Sequence, residues 1–194
     1  MKTSLLVLAS RSPRRRELLT QIGVKFECAS ADIDESLRDG ETPAQYVSRL
    51  ALEKAQAVAI NFPDHWVLGS DTTVVCDAQV LGKPTDKTDA VAMLQQLSGR
   101  RHQVMTAVAL VQGERQRSLR VSTDVVFKSL SQAECERYWD TGEPQDKAGS
   151  YGIQGLGAVF VERVEGSYSA VVGLPLQEIA ELLQQLGMPI WQRD

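Results

Sequence analysis

The sequence predicts an α/β fold, in which short apolar strands alternate with amphipathic helices. Three observations carry this expectation. Residues 5–9 form a short apolar run, followed by a polar turn and the start of a helix. Residues 42–58 place apolar side chains at helical spacing and lead into a β-rich run at 67–75. Residues 104–111 and 119–127 are long β-rich runs joined across Gly113-Glu114, the pattern of an antiparallel pair. With 194 residues the chain can bury a core of its own, as one domain or one domain of two lobes.

The first of these stretches is also the most unusual. Ser12 suits a helix N-cap, and Pro13 sits where the first helical residue needs no N–H. Arg14, Arg15 and Arg16 then crowd the first turn, although a helix N-terminus favours anions. One reading is a solvated basic helix end. The favoured one is a polyanion held by backbone N–H groups, serine hydroxyls and guanidinium forks, which makes phosphate the expected ligand.

Composition narrows the classes. Hydrophobic residues make up 43% and charged residues 24%, ordinary for a globular protein. Net charge is −4, so the basic helix end is local and does not belong to the broad positive face of a non-specific nucleic-acid binder. Cys28, Cys76 and Cys135 lack zinc-type spacing and read as reduced thiols of a cytoplasmic protein. His65 and His102 are the two histidines, too few for a histidine-rich metal site, and both read as structural or exposed. The run at 5–9 is too short for a signal-peptide core, and no segment is long enough to span a membrane.

Taken in order, Gly23 ends the first helix, and Val24, Phe26 and Cys28 alternate as in a strand. Residues 30–36 form an acidic loop, either a solvated turn or a source of metal ligands. Thr42 and Pro43 open a long helix with Tyr46, Val47, Leu50, Ala51, Ala55 and Val58 facing inward. Lys54, near that stripe, either snorkels to solvent or points into a site. The run 67–75 reads as a strand broken at Ser70-Asp71-Thr72, because Asp is unfavourable inside a strand. A carboxylate there suits a catalytic base or metal ligand, or else a turn cap. Gly82-Lys83 is not a phosphate-loop motif, since the glycine spacing is wrong and Pro84 stands where Ser or Thr is needed.

Residues 86–97 read as a helix with Ala90, Val91, Met93, Leu94 and Leu97 inward, ended by Ser98-Gly99. Ser131-Gln132-Ala133-Glu134 is a capping box opening a helix that stops at Gly142. The stretch 146–157 contains four glycines, which allow backbone to approach a ligand closely. Strands are expected at 158–164 and 168–172. A last amphipathic helix starts at Pro175, places Ile179, Leu182, Leu183 and Leu186 inward, and closes at Gly187.

Four of these segments together resemble the Maf family of nucleoside triphosphate pyrophosphatases, also called septum formation inhibitors. They are Ser10-Arg11-Ser12-Pro13-Arg14-Arg15, Leu68-Gly69-Ser70-Asp71-Thr72, Gly82-Lys83-Pro84, and the run from Asp146 through Ser150-Tyr151-Gly152-Ile153-Gln154-Gly155. They occur in the family's order, and the resemblance extends from about Leu5 to Leu186. It implies a mixed twisted sheet with surrounding helices and a cleft between two lobes, as in inosine triphosphate pyrophosphatases, with residues 1–194 forming a single domain. It also implies cleavage of a nucleoside triphosphate to monophosphate and pyrophosphate, a divalent cation (Mg²⁺, Mn²⁺ or Co²⁺) and a homodimer.

By the same resemblance Ser10, Arg14, Arg15, Lys54 and Lys83 match phosphate-binding positions. Glu35 matches the acidic metal-site position, and Asp71 the catalytic carboxylate that shares the metal. The family reads the base at three positions. In its 7-methyl-GTP type these are Trp, Gln and Glu, a set suited to a cationic purine. Here they are Arg14, Thr72 and Gln154, which resembles the dTTP/UTP type. A carboxamide at Gln154 offers the donor and acceptor that a uracil or thymine edge needs.

Two alternatives stand beside this reading: a 7-methyl-GTP pyrophosphatase, and a non-catalytic nucleotide-sensing regulator of cell division. Asp71 and Glu35 favour catalysis, since a sensor needs the cations but not the base. A single-stranded nucleic-acid binder would need aromatics among its basic residues and a broad positive face. The expected partner is therefore a nucleoside triphosphate, with no nucleic acid and no membrane.

Overall fold

The computed structural model describes residues 6–30 and 32–192. Leu5, at the start of the first apolar run, and Ala31, in the acidic loop, lie outside the described residues. The chain divides into two compact units. The first comprises the chain as far as Asp71, Thr106–Val121 and the chain from Gly173 on; the second comprises Thr72–Met105 and Ser122–Val172.

In the first unit, β1 (Leu6–Ala9) is buried at every position and lies parallel to both β2 (Phe26–Ala29) and β3 (Trp66–Cys76). Parallel neighbours need crossovers, and α1 (Pro13–Gln21) and α2 (Pro43–Ala59) supply them. Gly23 ends the α1 connection at φ +65, with the backbone of Gln192 2.8 Å from where a Cβ would stand. Thr42 and Gln45 form a reciprocal capping box on α2, a pattern not singled out in the sequence. Helix α2 buries Val47, Leu50, Ala51, Ala55 and Val58, with Tyr46 half-buried. Full burial of a Val or Leu side chain is worth about 1.5–3 kcal/mol.

Small residues bring α2 close to β3. A Cβ on Gly69 would come within 2.2 Å of the Ala51 carbonyl oxygen and 2.7 Å of the Ala55 nitrogen. Successive odd positions of a strand share a face, so Asp71 emerges on the same side as Gly69. Lys54, next to Ala55 on the helix, then stands within reach of it.

The sheet is mixed, in the order β2-β1-β3-β5-β6-β7 with β4 paired to β3, where β4 is Gln79–Leu81, β5 Arg101–Gln112, β6 Arg115–Phe127 and β7 Val161–Glu165. As expected, β5 and β6 meet across a two-residue turn, Gly113-Glu114, with Gly113 at φ +56. Helix α6 (Leu176–Gln185) buries Ile179 and Leu183 in the first unit, and Gly187 follows it at φ +71.

In the second unit, β3 and β4 are antiparallel across Asp77 and Ala78, both at positive φ, as a tight hairpin turn requires. Helix α3 (Lys87–Leu97) is capped by Asp86, whose side chain accepts from the Asp89 N–H. Helix α4 (Gln132–Asp140) carries the expected Ser131/Glu134 capping box, and Gly142 follows it at φ +80. Strand β7 runs antiparallel to β6.

Three expectations are corrected. Strand β3 is continuous through Ser70-Asp71-Thr72, because tertiary partners of Asp71 offset its low strand propensity. Residues 156–160 form a 3₁₀ turn before β7, held by Leu156 and Gly157 N–H groups that donate to Glu143. Residues 168–172 are helix α5 (Tyr168–Val172) and not a strand. There Gly166 turns the chain at φ +129, and Ser167 Oγ accepts from the Ala170 N–H, a cap that outweighs the strand preference of Val171 and Val172.

The three cysteines are free, Cys28 exposed and Cys76 and Cys135 buried. Among the described residues no helix is long and apolar enough to cross a membrane.

His102 is 2% exposed and lies in an aromatic cluster with Phe127 and Tyr151; its Nε2 is 2.8 Å from the Tyr151 hydroxyl. Burial pulls its pKa from 6.5 to about 4, with Asp124 opposing. Between those values the folded protein binds fewer protons than the unfolded chain. Stability from this group is therefore complete above pH 6.5 and falls as pH drops toward 4, by about 3 kcal/mol in all. His102→Phe is expected to flatten this part of the profile in urea unfolding. An unchanged slope in the variant would locate the acid sensitivity elsewhere.

Candidate active site

Five of the expected site residues come together in the first unit. Asp71 is 7% exposed, and its Oδ1 accepts from Lys54 Nζ at 2.7 Å. The same ammonium lies 2.9 Å from Glu35 Oε1, so Lys54 bridges a buried carboxylate and an exposed one. Of its two readings, Lys54 takes the inward one. Burial raises the Asp71 pKa above the ordinary carboxylate value, while Lys54 and Arg15 pull it back and Glu35 adds to the rise. Removing one partner of such a buried pair typically costs about 3–5 kcal/mol, so Lys54 has a structural stake in Asp71 as well.

Arg15 approaches the same group from α1. Its Nε donates to the Gly173 carbonyl at 3.0 Å and its Nη1 to Ser10 Oγ at 3.5 Å. Burial lowers its pKa, Asp71 opposes, Arg14 lowers it further and Glu35 raises it. Asp71 and Glu35 thus partly compensate the cluster of like charges on α1. Ser12 occupies the N-cap, but among the described residues its hydroxyl makes no capping bond. Ser10 Oγ instead accepts from the Ser12 N–H at 3.1 Å. Ser10 thereby ties the turn and the Arg15 side chain together. Arg14 is half-buried on the same turn.

The loop carrying Glu35 is anchored by residues the sequence reading passed over as site residues. Arg49 forms a paired contact with Glu41, at 2.6 and 2.7 Å, and donates to Glu53 Oε2 at 3.1 Å and to the Ser36 carbonyl at 2.9 Å. Its hydrogen bonds hold the Glu41 carboxyl down at about 2. Tyr46 donates its hydroxyl to the Glu35 carbonyl at 3.0 Å. Arg49 and Glu53 are four apart on a helix, a spacing visible in the sequence; Glu41 and Ser36 are not predictable from spacing. Ser70 was also missed: its hydroxyl donates to the Gly173 carbonyl at 3.0 Å, beside Arg15.

The remaining expected residues lie in the second unit. Thr72 is half-buried on β3, directly after Asp71. Lys83 is exposed just after β4, and the preceding Gly82 carbonyl accepts from the Gly149 N–H at 3.0 Å. Gln154 is exposed in a turn closed by Gly155 N–H donating to the Gly152 carbonyl at 3.2 Å.

Three glycines of the 146–157 stretch are closely packed by the protein itself. A Cβ on Gly149 would meet Val74 at 2.9 Å, on Gly155 it would meet Glu143 Oε2 at 2.1 Å, and on Gly157 the Tyr138 hydroxyl at 2.6 Å. These glycines admit neighbouring side chains of the protein itself, and that close packing accounts for them without a ligand.

Among the described residues no three His, Cys, Asp or Glu side chains converge as a metal site. Glu35 and Asp71 nevertheless already converge on one cation, Lys54 Nζ. Two carboxylates completed by phosphate oxygens and water fit a hard divalent ion.

Known proteins with similar sequences extend over nearly the whole chain. The dTTP/UTP pyrophosphatase of Vibrio parahaemolyticus is 60% identical over 187 residues, covering 95% of this chain and 99% of the relative. That of Hahella chejuensis is 57% identical over 189 residues, covering 96% and 94%. A solved HAM1 protein from Coxiella burnetii superposes with a TM-score of 0.52 over 94% of this chain and 99% of its own, at 17% identity, which establishes likeness of fold. The model of the family described as Maf-like protein matches residues 5–186, and it takes in Ser10, Arg15, Glu35, Lys54 and Asp71 together; the chain belongs to the Maf family.

Proposed function

We propose that this protein hydrolyses dTTP and UTP to the monophosphate and pyrophosphate, with Asp71 as general base. The observation that carries the proposal is a buried carboxylate with a raised pKa, gripped by Lys54 and flanked by Arg15, in a Maf-family chain. Its relatives at 54–60% identity are dTTP/UTP pyrophosphatases.

A triphosphate carries about four negative charges. Phosphoryl transfer depends mainly on positioning and on neutralising that charge. Ser10, Arg14 and Arg15 on the α1 turn, with Lys54, supply hydroxyl and cationic donors for it. Asp71 takes a proton from a water, whose oxygen bonds to the α-phosphorus as the bond to the α–β bridging oxygen breaks and pyrophosphate leaves. Burial raises the pKa of Asp71 in the ion-free protein, which strengthens it as a base.

Glu35 and Asp71 would hold a divalent ion (Mg²⁺, Mn²⁺ or Co²⁺), which when bound supplies further neutralisation of phosphate charge. Lys83 as a phosphate contact, and Arg14, Thr72 and Gln154 as base contacts, complete the proposal; the family resemblance supports these roles. The exposed free thiol of Cys28 supports a reducing, cytoplasmic setting.

The test is phosphate release, coupled to an added inorganic pyrophosphatase, across natural nucleoside triphosphates with each of the three ions. Turnover of dTTP and UTP is expected, with kcat/KM about a hundredfold or more above the purine triphosphates, since unmatched polar groups in a hydrogen-bonding site penalise the wrong base. Absence of turnover with every nucleotide and ion would leave the non-catalytic sensor as the better reading.

A further inference from the structure

The turn that bears Gln154 is clamped at both ends by one pair of side chains. At its start, the Gly152 N–H donates to the Tyr138 hydroxyl at 3.0 Å. At its end, the Leu156 N–H donates to Glu143 Oε2 at 2.8 Å and the Gly157 N–H to Glu143 Oε1 at 3.0 Å. The clamp is itself joined, because the Tyr138 hydroxyl donates to Glu143 Oε1 at 2.6 Å.

We propose that Tyr138 and Glu143 are positioning residues for base selection, which hold the 152–157 turn in the conformation that presents Gln154. This rests on the reading of Gln154 as a base contact.

The packing leaves that turn few other conformations. Gly155 and Gly157 lie against Glu143 and Tyr138 so closely that neither position has space for a Cβ. Ile153, beside Gln154, is buried and anchors the tip, while Gln154 faces out. Tyr138 is buried and packs edge-on against Phe160, at 4.9 Å between ring centres, so its hydroxyl is fixed from the α4 side. Burial alone would raise the Glu143 carboxyl, but the hydrogen bonds from Tyr138, Gly157 and Leu156 outweigh it and keep the group below its ordinary value. An ionised acceptor suits three converging donors, whereas a carboxamide would turn an NH₂ toward one of them. A base-reading carboxamide must be held to a fraction of an ångström to reject the wrong edge, and an unclamped glycine turn would not hold it.

The experiment compares kcat/KM for dTTP with that for dATP in the parent and in Gln154→Ala, Tyr138→Phe, Glu143→Gln and the double variant Tyr138→Phe/Gln154→Ala. Because both nucleotides are assayed on the same preparation, a loss of folded protein cancels from the ratio. Tyr138→Phe is expected to lower the dTTP preference about tenfold, and Glu143→Gln by more, chiefly through a higher KM for dTTP with kcat within about threefold of the parent. The double variant is expected to match Gln154→Ala alone, since a clamp acting through Gln154 has nothing left to position. Parental ratios in Tyr138→Phe and Glu143→Gln, with the ratio lost in Gln154→Ala, overturn the positioning role and leave base reading intact. Additive losses in the double variant overturn it as well. A parental ratio in Gln154→Ala overturns the base-reading assignment and this proposal with it.

Discussion

Replacing Asp71 with asparagine is expected to lower kcat for dTTP and UTP by about a hundred- to ten-thousand-fold, the usual cost of losing a general base. KM is expected to stay near the parent's or to fall. Asparagine fills the same volume but cannot take a proton at the carboxylate's pKa. Lys54 keeps Glu35 as a partner at 2.9 Å, and with one carboxylate fewer beside it, its charge is more available to phosphate. The pH profile gives a second check. Burial raises the Asp71 pKa in the ion-free protein, a bound divalent ion would lower it, and a base acts in its deprotonated form, so the acid limb of kcat/KM should move to lower pH as the divalent-ion concentration rises. Lys54 holds that pKa down, so at a fixed ion concentration Lys54→Gln should move the acid limb to higher pH. A folded Asp71→Asn enzyme with near-parental turnover would remove Asp71 from the chemistry.

Replacing Arg14, Thr72 and Gln154 together is expected to change what the enzyme prefers. In the parent, dTTP and UTP should be cleaved well and 7-methyl-GTP poorly. Gln154→Glu by itself should depress activity on dTTP and UTP, because a carboxylate accepts from N3–H but repels O4. Adding Arg14→Trp and Thr72→Gln supplies an aromatic face for a cationic purine and removes a like charge from its vicinity. The ratio of kcat/KM for UTP over 7-methyl-GTP should drop by about a hundredfold or more, the scale on which sites built from matched hydrogen bonds discriminate. Discrimination between dTTP and UTP should stay weak throughout. A ratio that the triple change leaves unmoved would mean that Arg14, Thr72 and Gln154 do not read the base.

Secondary structure was readable from the chain wherever a local signal was strong. Residues 6–9 are apolar without interruption and form a buried parallel strand. The Ser131/Glu134 capping box and the stripe on α2 needed no partner to be legible, since capping and helical periodicity are encoded within a few residues. The motif residues around Arg15 and Asp71 were legible as chemistry out of place, cations at a helix N-terminus and a carboxylate in an apolar strand. Local signals failed where a distant group decided the outcome. Residues 168–172 looked like a strand because Val171 and Val172 are β-branched, yet the Ser167 cap and the turn at Gly166 make a helix.

Which charges meet is set by how the elements pack. That Lys54 bridges Glu35 and Asp71, across 19 and 17 residues of sequence, follows from α2 settling closely on Gly69 through Ala51 and Ala55. Likewise Val74, Glu143 and Tyr138 pack where Cβ atoms on Gly149, Gly155 and Gly157 would stand, contacts that no spacing in the sequence announces. Both cases have the same cause. Propensity and spacing act over one or two turns of chain, whereas a buried charge or a glycine acquires its role from whatever packing brings against it.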